Sequence, residues 1–177
     1  MTYPENFNLL DVLLKGTSLI EASAGTGKTY AIVGLFLRLI IEKRFPVNEI
    51  VAVTFTEAAT EELRGRIRVK LQEAVEAFSG NPVEDSFLND LAEKNRDHEA
   101  TLIILREALH SFDLSAIFTI HGFCRKMLHE NAFESGVLFD TELIADLGKT
   151  GLWQSTFTND HYTILTRIDL DLSNKHR

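Results

Sequence analysis

The sequence has little cysteine, no long uninterrupted apolar run and no surplus of positive charge. Cys124 is its one cysteine, which rules out an internal disulfide framework and leaves no CxxC pair for a structural metal. The longest apolar stretch, AIVGLFLRLII from Ala31 to Ile41, is interrupted by Gly34 and Arg38. It falls short of the run of about 20 residues that crosses a bilayer. The opening MTYPENFNLL lacks a basic region followed by an apolar block, so no secretory signal is expected. Lys and Arg number 18 against 26 Asp and Glu, a formal net charge of −8. That argues against a protein that coats nucleic acid through bulk charge, although a strand gripped in a local groove does not require it. Internal repeats and low-complexity tracts are also lacking. The expectation is a soluble, cytoplasmic protein.

What is present suffices for one core. A chain of 177 residues, 45% hydrophobic, fits one domain or one domain with a short appendage. Residues 19–21 read as a short buried strand entering a glycine-rich turn. From Lys28 to about Arg44, Ile32, Leu35, Phe36, Leu39 and Ile40 recur at helical spacing and make one apolar stripe. Pro46 interrupts, and IVAVTF at 50–55 reads as a strand covered on both faces. A long helix is expected over 57–78, where Leu63, Ile67, Leu71 and Val75 step by four. Further helices are expected near 84–95 and 98–111, a strand at 116–120, and a helix from Gly122. Strand, helix and strand in this order indicate an α/β protein with a parallel sheet and flanking helices. The last thirty or so residues are rich in Thr, Asn and Asp and carry no helical stripe.

The most specific stretch is LIEASAGTGKTY, Leu19 to Tyr30. A phosphate chain needs several donors converging on one point with no side chain in the way. Gly25 and Gly27 allow backbone N–H groups to turn inward as an anion nest. A helix starting near Lys28 aims its N-terminal amides and dipole at the same place. Lys28 would reach the β- and γ-phosphates and Thr29 would hold Mg²⁺ through its hydroxyl, which makes these two the candidate catalytic residues. The ATP-binding set is Ala22, Ser23, Ala24, Gly25, Thr26, Gly27, Lys28 and Thr29. Ala22 occupies the first position of the pattern G-x-x-x-x-G-K-[ST], where glycine is usual. A second GKT, Gly148 to Thr150, has neither paired glycines nor a helical stripe after it and reads as a chance turn.

A phosphate loop is shared by many activities. VAVTFTEAATEELRGRI (51–67) places Thr54, Phe55 and Thr56 at a strand's carboxyl end, and FTIHGFCRKML (118–128) repeats the design with Thr119, His121 and Phe123. Ligands of parallel α/β sheets bind at those ends, and hydroxyls with aromatic faces suit a single nucleic-acid strand. Spacing alone leaves a plainer alternative open. Phe55 and Phe123 could be core residues, His121 a satisfied buried histidine, and Arg64, Arg66, Arg68 and Lys70 a solvated helix face.

Taken together and in this order, LIEASAGTGKTY, VAVTFTEAATEELRGRI and FTIHGFCRKMLHENAFESGVLF resemble the front of the UvrD-like superfamily 1 DNA helicases of the exodeoxyribonuclease V type. The likeness runs from about Leu14 to Asp146. It implies a RecA-like P-loop motor domain over 1–146 with a helical insertion at about 84–111, followed by a divergent or truncated tail at 147–177. It also implies ATP and Mg²⁺ as cofactors and 3′–5′ movement on single-stranded DNA from duplex ends in break repair and recombination. The RecC and RecD subunits would be its partners. Residues 22–29 would be the first helicase motif and 54–67 the next. By the same likeness Thr54, Phe55, Thr56, Arg64, Thr119, His121 and Phe123 would contact DNA.

Hydrolysis also needs a carboxylate pair for the metal and attacking water, and an arginine at the transition state. The family's acidic DExx motif, that arginine and the nuclease domain are not found in the sequence. Asp140 follows an apolar run but precedes the place of the true acidic motif. The chain is therefore expected to be the front part of a longer or interrupted reading frame, with weak nucleotide binding and very slow turnover alone. Two rival readings are a non-catalytic, nucleotide-dependent DNA- or subunit-binding module and a small P-loop kinase. Under the kinase reading, TFTEAAT and TIHGFC have no role.

Overall fold

The first long helix begins where the glycine-rich turn ends. In the computed structural model, which describes residues 7–21 and 27–131, α1 spans Lys28–Lys43. It is followed by β1, Val51–Thr54, and by α2, Glu57–Phe78. Two shorter helices come next, α3 at Ser86–Lys94 and α4 at His98–His110. A single 3-10 turn at Phe112–Leu114 leads to β2, Ala116–Thr119, and α5 follows at Ile120–Glu130. The two strands pair in parallel, Val51 against Ala116 through Thr54 against Thr119. The connection between them is α2, α3 and α4, the long crossover that parallel pairing demands.

α2 is the hub of the packing: it touches α1, α3, α4 and both strands. Leu63, Ile67, Leu71, Ala74 and Phe78 are its buried line, and each fully buried large apolar side chain contributes roughly 1.5–3 kcal/mol. Both ends have local causes. The Thr56 hydroxyl accepts the Ala59 N–H at the start, and Gly80, at φ 86, ends the helix with its N–H on the Ala77 carbonyl. Asp85 and Asp97 cap α3 and α4 in the same way as Thr56 caps α2.

Two expectations are corrected. First, α1 is not buried along a single stripe, for every residue from Val33 to Ile41 is buried. The reason is tertiary. Leu9 and Leu14 join the core from the N-terminal segment, and Leu9 lies directly over Gly34, where a Cβ would collide with its side chain. Arg38 ties the same segment down by donating to the carbonyls of Leu9 (2.7 Å) and Val12 (2.9 Å). Second, residues 19–21 form no strand: Leu19 is 84% exposed and Ile20 36%. A strand exists through a neighbour's backbone, and among the described residues β1 pairs only with β2. An apolar groove instead separates the Gly16–Ile20 segment from Val51 and Ala52, with Leu35, Phe36 and Leu39 as its floor.

Candidate nucleotide and nucleic-acid site

Ala22, Ser23, Ala24, Gly25 and Thr26 of the predicted phosphate loop lie outside the described residues, as do Asp140, the second GKT and the 147–177 tail. The described end of the loop is Gly27, the N-cap of α1, at φ 89. No atom lies near where its Cβ would be, so backbone conformation, not space, is what calls for glycine there. Every other α-helix of the described residues has a capping side chain, from Thr56, Asp85, Asp97 and Thr119. Gly27 offers no side-chain oxygen, and the amides that follow are suited to an external anion. Lys28 and Thr29 stand half-buried at this helix start. An ammonium, a hydroxyl and uncapped amides form a donor set that fits a magnesium-bound triphosphate.

The first turn of α1 meets the first turns of α2: Thr29 and Ile32 share a small cleft with Ala59, Glu62 and Leu63. On its other side, the start of α2 meets the second strand end, because the Thr119 hydroxyl donates to Glu57 Oε1 at 3.2 Å. The Thr54–Thr119 pairing sets the two strand ends side by side. The beginnings of α1, α2 and α5 are thus gathered at the carboxyl end of the sheet.

The residues predicted to contact DNA divide into two groups there. Thr54 is only 1% exposed. Its hydroxyl shares a hydrogen bond with the Thr60 hydroxyl and donates to the Thr56 carbonyl at 3.1 Å. The Thr56 and Thr119 hydroxyls accept the amides of Ala59 and Gly122, both at 3.1 Å. Arg64 is half-buried and donates to the Ile117 carbonyl at 3.0 Å, joining α2 to β2. Phe55, by contrast, is 47% exposed, His121 is exposed, and Phe123 is half-buried with its ring 6.5 Å from Phe118. The plainer alternative therefore does not describe Phe55 or His121, since neither is buried. It describes Arg66 and Arg68, which are exposed and paired with Glu62 and Asp113.

A polar network that spacing could not reveal lies beside the first turn of α1. Tyr30, in the first turn of α1, donates its phenol proton to Asp85, with oxygen distances of 2.9 and 3.1 Å. Lys70 on α2 binds Asp85 at 2.7 Å and Glu73 at 2.5 Å, and its ammonium sits 5.7 Å from the centre of the Tyr30 ring. Burial pushes the Asp85 carboxyl up, but the hydrogen bonds from Lys70 and Tyr30 outweigh it and hold the group below the usual carboxylate range. Burial likewise pulls Lys70 down, and its bonds to Asp85 and Glu73 carry it above its ordinary value. Tyr30 is raised by burial and by the Asp85 carboxylate.

These directions fix a pH dependence. The lowered Asp85 contributes stability that is complete above about pH 4, the unfolded carboxylate value, and that is lost as pH falls through the folded one. The raised Lys70 and Tyr30 contribute stability below about pH 10 that is lost as pH rises. Melting temperatures followed down to acid pH should therefore fall less steeply for Asp85→Asn than for the parent. Parallel curves would show that Asp85 is not part of the acid transition.

Among the described residues, no group of three His, Cys, Asp or Glu side chains could hold a metal by itself. No helix there is long and apolar enough to cross a membrane.

The family profile of the UvrD/REP helicase N-terminal domain matches residues 4–175, extending past the Asp146 limit of the motif resemblance. The chain is similar to the RecBCD enzyme subunit RecB of Escherichia coli (strain K12), with 44% identity over 154 residues, covering 80% of this chain and 13% of that protein. Against the RecB subunit of Haemophilus influenzae it is 46% identical over 154 residues, 78% of this chain and 13% of the relative. Against that of Mycobacterium tuberculosis (strain H37Rv) it is 36% identical over 143 residues, with the same two coverages, 78% and 13%. The chain thus spans about 13% of the length of these relatives. A profile matched over nearly the whole chain, together with a parallel α/β arrangement that gathers three helix starts at one sheet end, shows that the chain belongs to the UvrD/REP helicase N-terminal domain family.

Proposed function

We propose that this chain is the nucleotide-binding front part of a P-loop motor, of the RecA-like kind, in an ATP-dependent 3′–5′ DNA helicase and exonuclease V β subunit acting in double-strand break repair and recombination. The observation that carries the reading is the meeting of α1, α2 and α5 at the carboxyl ends of β1 and β2. Gly27, Lys28 and Thr29, with Ala22 to Thr26 before them, bind the triphosphate, and bound Mg²⁺ supplies charge neutralisation at the β- and γ-phosphates. Lys28 orients the terminal phosphate and Thr29 the metal. Phe55 and His121, exposed on adjacent turns, face the nucleic-acid strand, with Phe123 beside them for stacking. Thr54, Thr56, Arg64 and Thr119 hold those turns in place and reach the strand chiefly through the backbone they shape.

The start of α2 is the link between the two sites, because it touches Thr29 on one side and Thr119 on the other. In this reading residues 1–146 are the motor portion, 84–111 an insertion between the strands and 147–177 a divergent segment. The whole protein works on single-stranded and duplex-end DNA together with RecC and RecD.

The test is binding of a fluorescent single-stranded oligonucleotide to the 177-residue chain with and without Mg·ATP, alongside ATP turnover. The expected result is weak, nucleotide-dependent DNA binding that Phe55→Ala reduces, with very slow turnover. DNA binding indifferent to both ATP and Phe55→Ala would overturn the reading. Rapid hydrolysis stimulated by the oligonucleotide would overturn its claim that essential catalytic groups lie outside the chain.

A further inference from the structure

The first turn of α1 lies outside the core that encloses the middle of the helix. Gly27 to Ile32 are exposed or half-buried, whereas everything from Val33 to Ile41 is buried. Gly27 supplies no side-chain cap of its own, and contacts made further along the turn bear on the orientation of Lys28 and Thr29. Among the interactions described for that turn, the hydrogen bond from Tyr30 to Asp85 joins groups 55 positions apart. Asp85 is itself fixed from three sides. Its carboxylate accepts the Phe87 N–H at 2.9 Å as the N-cap of α3, pairs with Lys70 of α2 at 2.7 Å, and receives the Tyr30 phenol. The Tyr30 ring packs edge-on against Phe87, with centroids 6.3 Å apart, and Phe87 is buried in the core.

We propose that Tyr30 is a positioning residue, whose phenol tethers the first turn of α1 to the N-cap of α3 and so sets the pose of Gly27, Lys28 and Thr29 for phosphate binding. The second half of this statement rests on the nucleotide reading above, and the first does not. A hydroxyl bonded to a carboxylate is a strong, directional link. It spans the helix that begins at the phosphate turn and the helix that begins the α3–α4 pair. Because coupling between two sites is reciprocal, a ligand that orders the α1 turn also orders the start of α3.

Tyr30→Phe isolates the tether, since the ring and its contacts with Phe87 and Lys70 remain while the hydroxyl is removed. Two amides report on the two ends. The Ala31 N–H bonds to the Gly27 carbonyl at 2.9 Å in the first turn of α1, and the Phe87 N–H bonds to Asp85 in the cap of α3. In the nucleotide-free 177-residue chain, Tyr30→Phe should speed hydrogen exchange at Ala31 about tenfold, with Leu71 in the core of α2 unchanged. Asp85→Asn should also speed it, and the double variant should be no faster than the faster single one. Unchanged exchange at Ala31 in Tyr30→Phe overturns the proposal.

With Mg·ATP, the parent should slow exchange at Phe87, and Tyr30→Phe should bind the nucleotide about tenfold more weakly. Equal affinity of parent and variant would overturn the positioning role. If the parent binds no nucleotide while Ala31 still responds to Tyr30→Phe, the tether is upheld and the nucleotide reading is what fails.

Discussion

Arg38→Ala is expected to destabilise the chain by about 2–4 kcal/mol, mainly the cost of leaving buried backbone carbonyls without a donor. Arg38 is a charged residue within the most buried stretch of α1, 5% exposed. It holds two backbone carbonyls, of Leu9 and Val12, and grips Glu42 through Nε and Nη2. Its loss leaves both carbonyls and a partly buried carboxylate without their donor. It also releases the segment carrying Leu9 and Leu14, which covers the outer side of α1. Urea unfolding should show a lower midpoint. Arg38→Lys should recover only part of the loss, because an ammonium cannot reproduce the planar fork that serves three acceptors at once. A loss below about 1 kcal/mol, the level of an exposed pair, would show that Arg38 does not anchor the N-terminal segment.

The second large effect is on binding. Lys28→Ala should weaken Mg·ATP binding by about tenfold to a hundredfold, the worth of a charge-assisted hydrogen bond to phosphate. Lys28 is half-buried in the first turn of α1 and lies outside the hydrophobic core. Calorimetric titration of parent and variant with Mg·ATP makes the comparison. Equal affinities would remove Lys28 from the site. A parent that gives no heat with Mg·ATP or Mg·GTP would remove the phosphate-binding reading altogether.

The elements that were legible in the sequence are those whose stabilising contacts are local or periodic. α1, α2 and the two strands appear within a residue or two of their expected limits, because spacing such as Leu63, Ile67 and Leu71 on α2 reports burial on one face. The α3 and α4 starts coincide with Asp85 and Asp97, which cap through their own side chains. The strand expected at 19–21 fails for the complementary reason. Apolar residues and a following glycine-rich turn mark a strand candidate, but pairing is supplied by another segment; Leu19 is exposed, and Ile20 lines a groove shared with Val51 and Ala52 of β1.

Within the candidate site, the chemistry of Gly27, Lys28 and Thr29 is carried by the order of the residues themselves. The division of labour at the strand ends is not. Thr54, Thr56 and Thr119 look like phosphate-facing hydroxyls in the sequence, yet in the fold their oxygens meet Thr60, Ala59, Gly122 and Glu57. A hydroxyl beside a helix start serves the nearest orphan amide first, which spacing cannot distinguish from a ligand contact.

The order of residues alone determined the alternation of strands and helices and the buried line of α2, because each depends on neighbours a few positions away. Only the tertiary structure decided that the middle of α1, Val33 to Ile41, is enclosed on all sides, that Arg38 holds the N-terminal segment, and that Tyr30, Lys70 and Asp85 meet beside the first turn of α1. Those contacts join residues separated by between 15 and 55 positions. Chain crossings bring such residues together, and no periodicity along the sequence encodes a crossing.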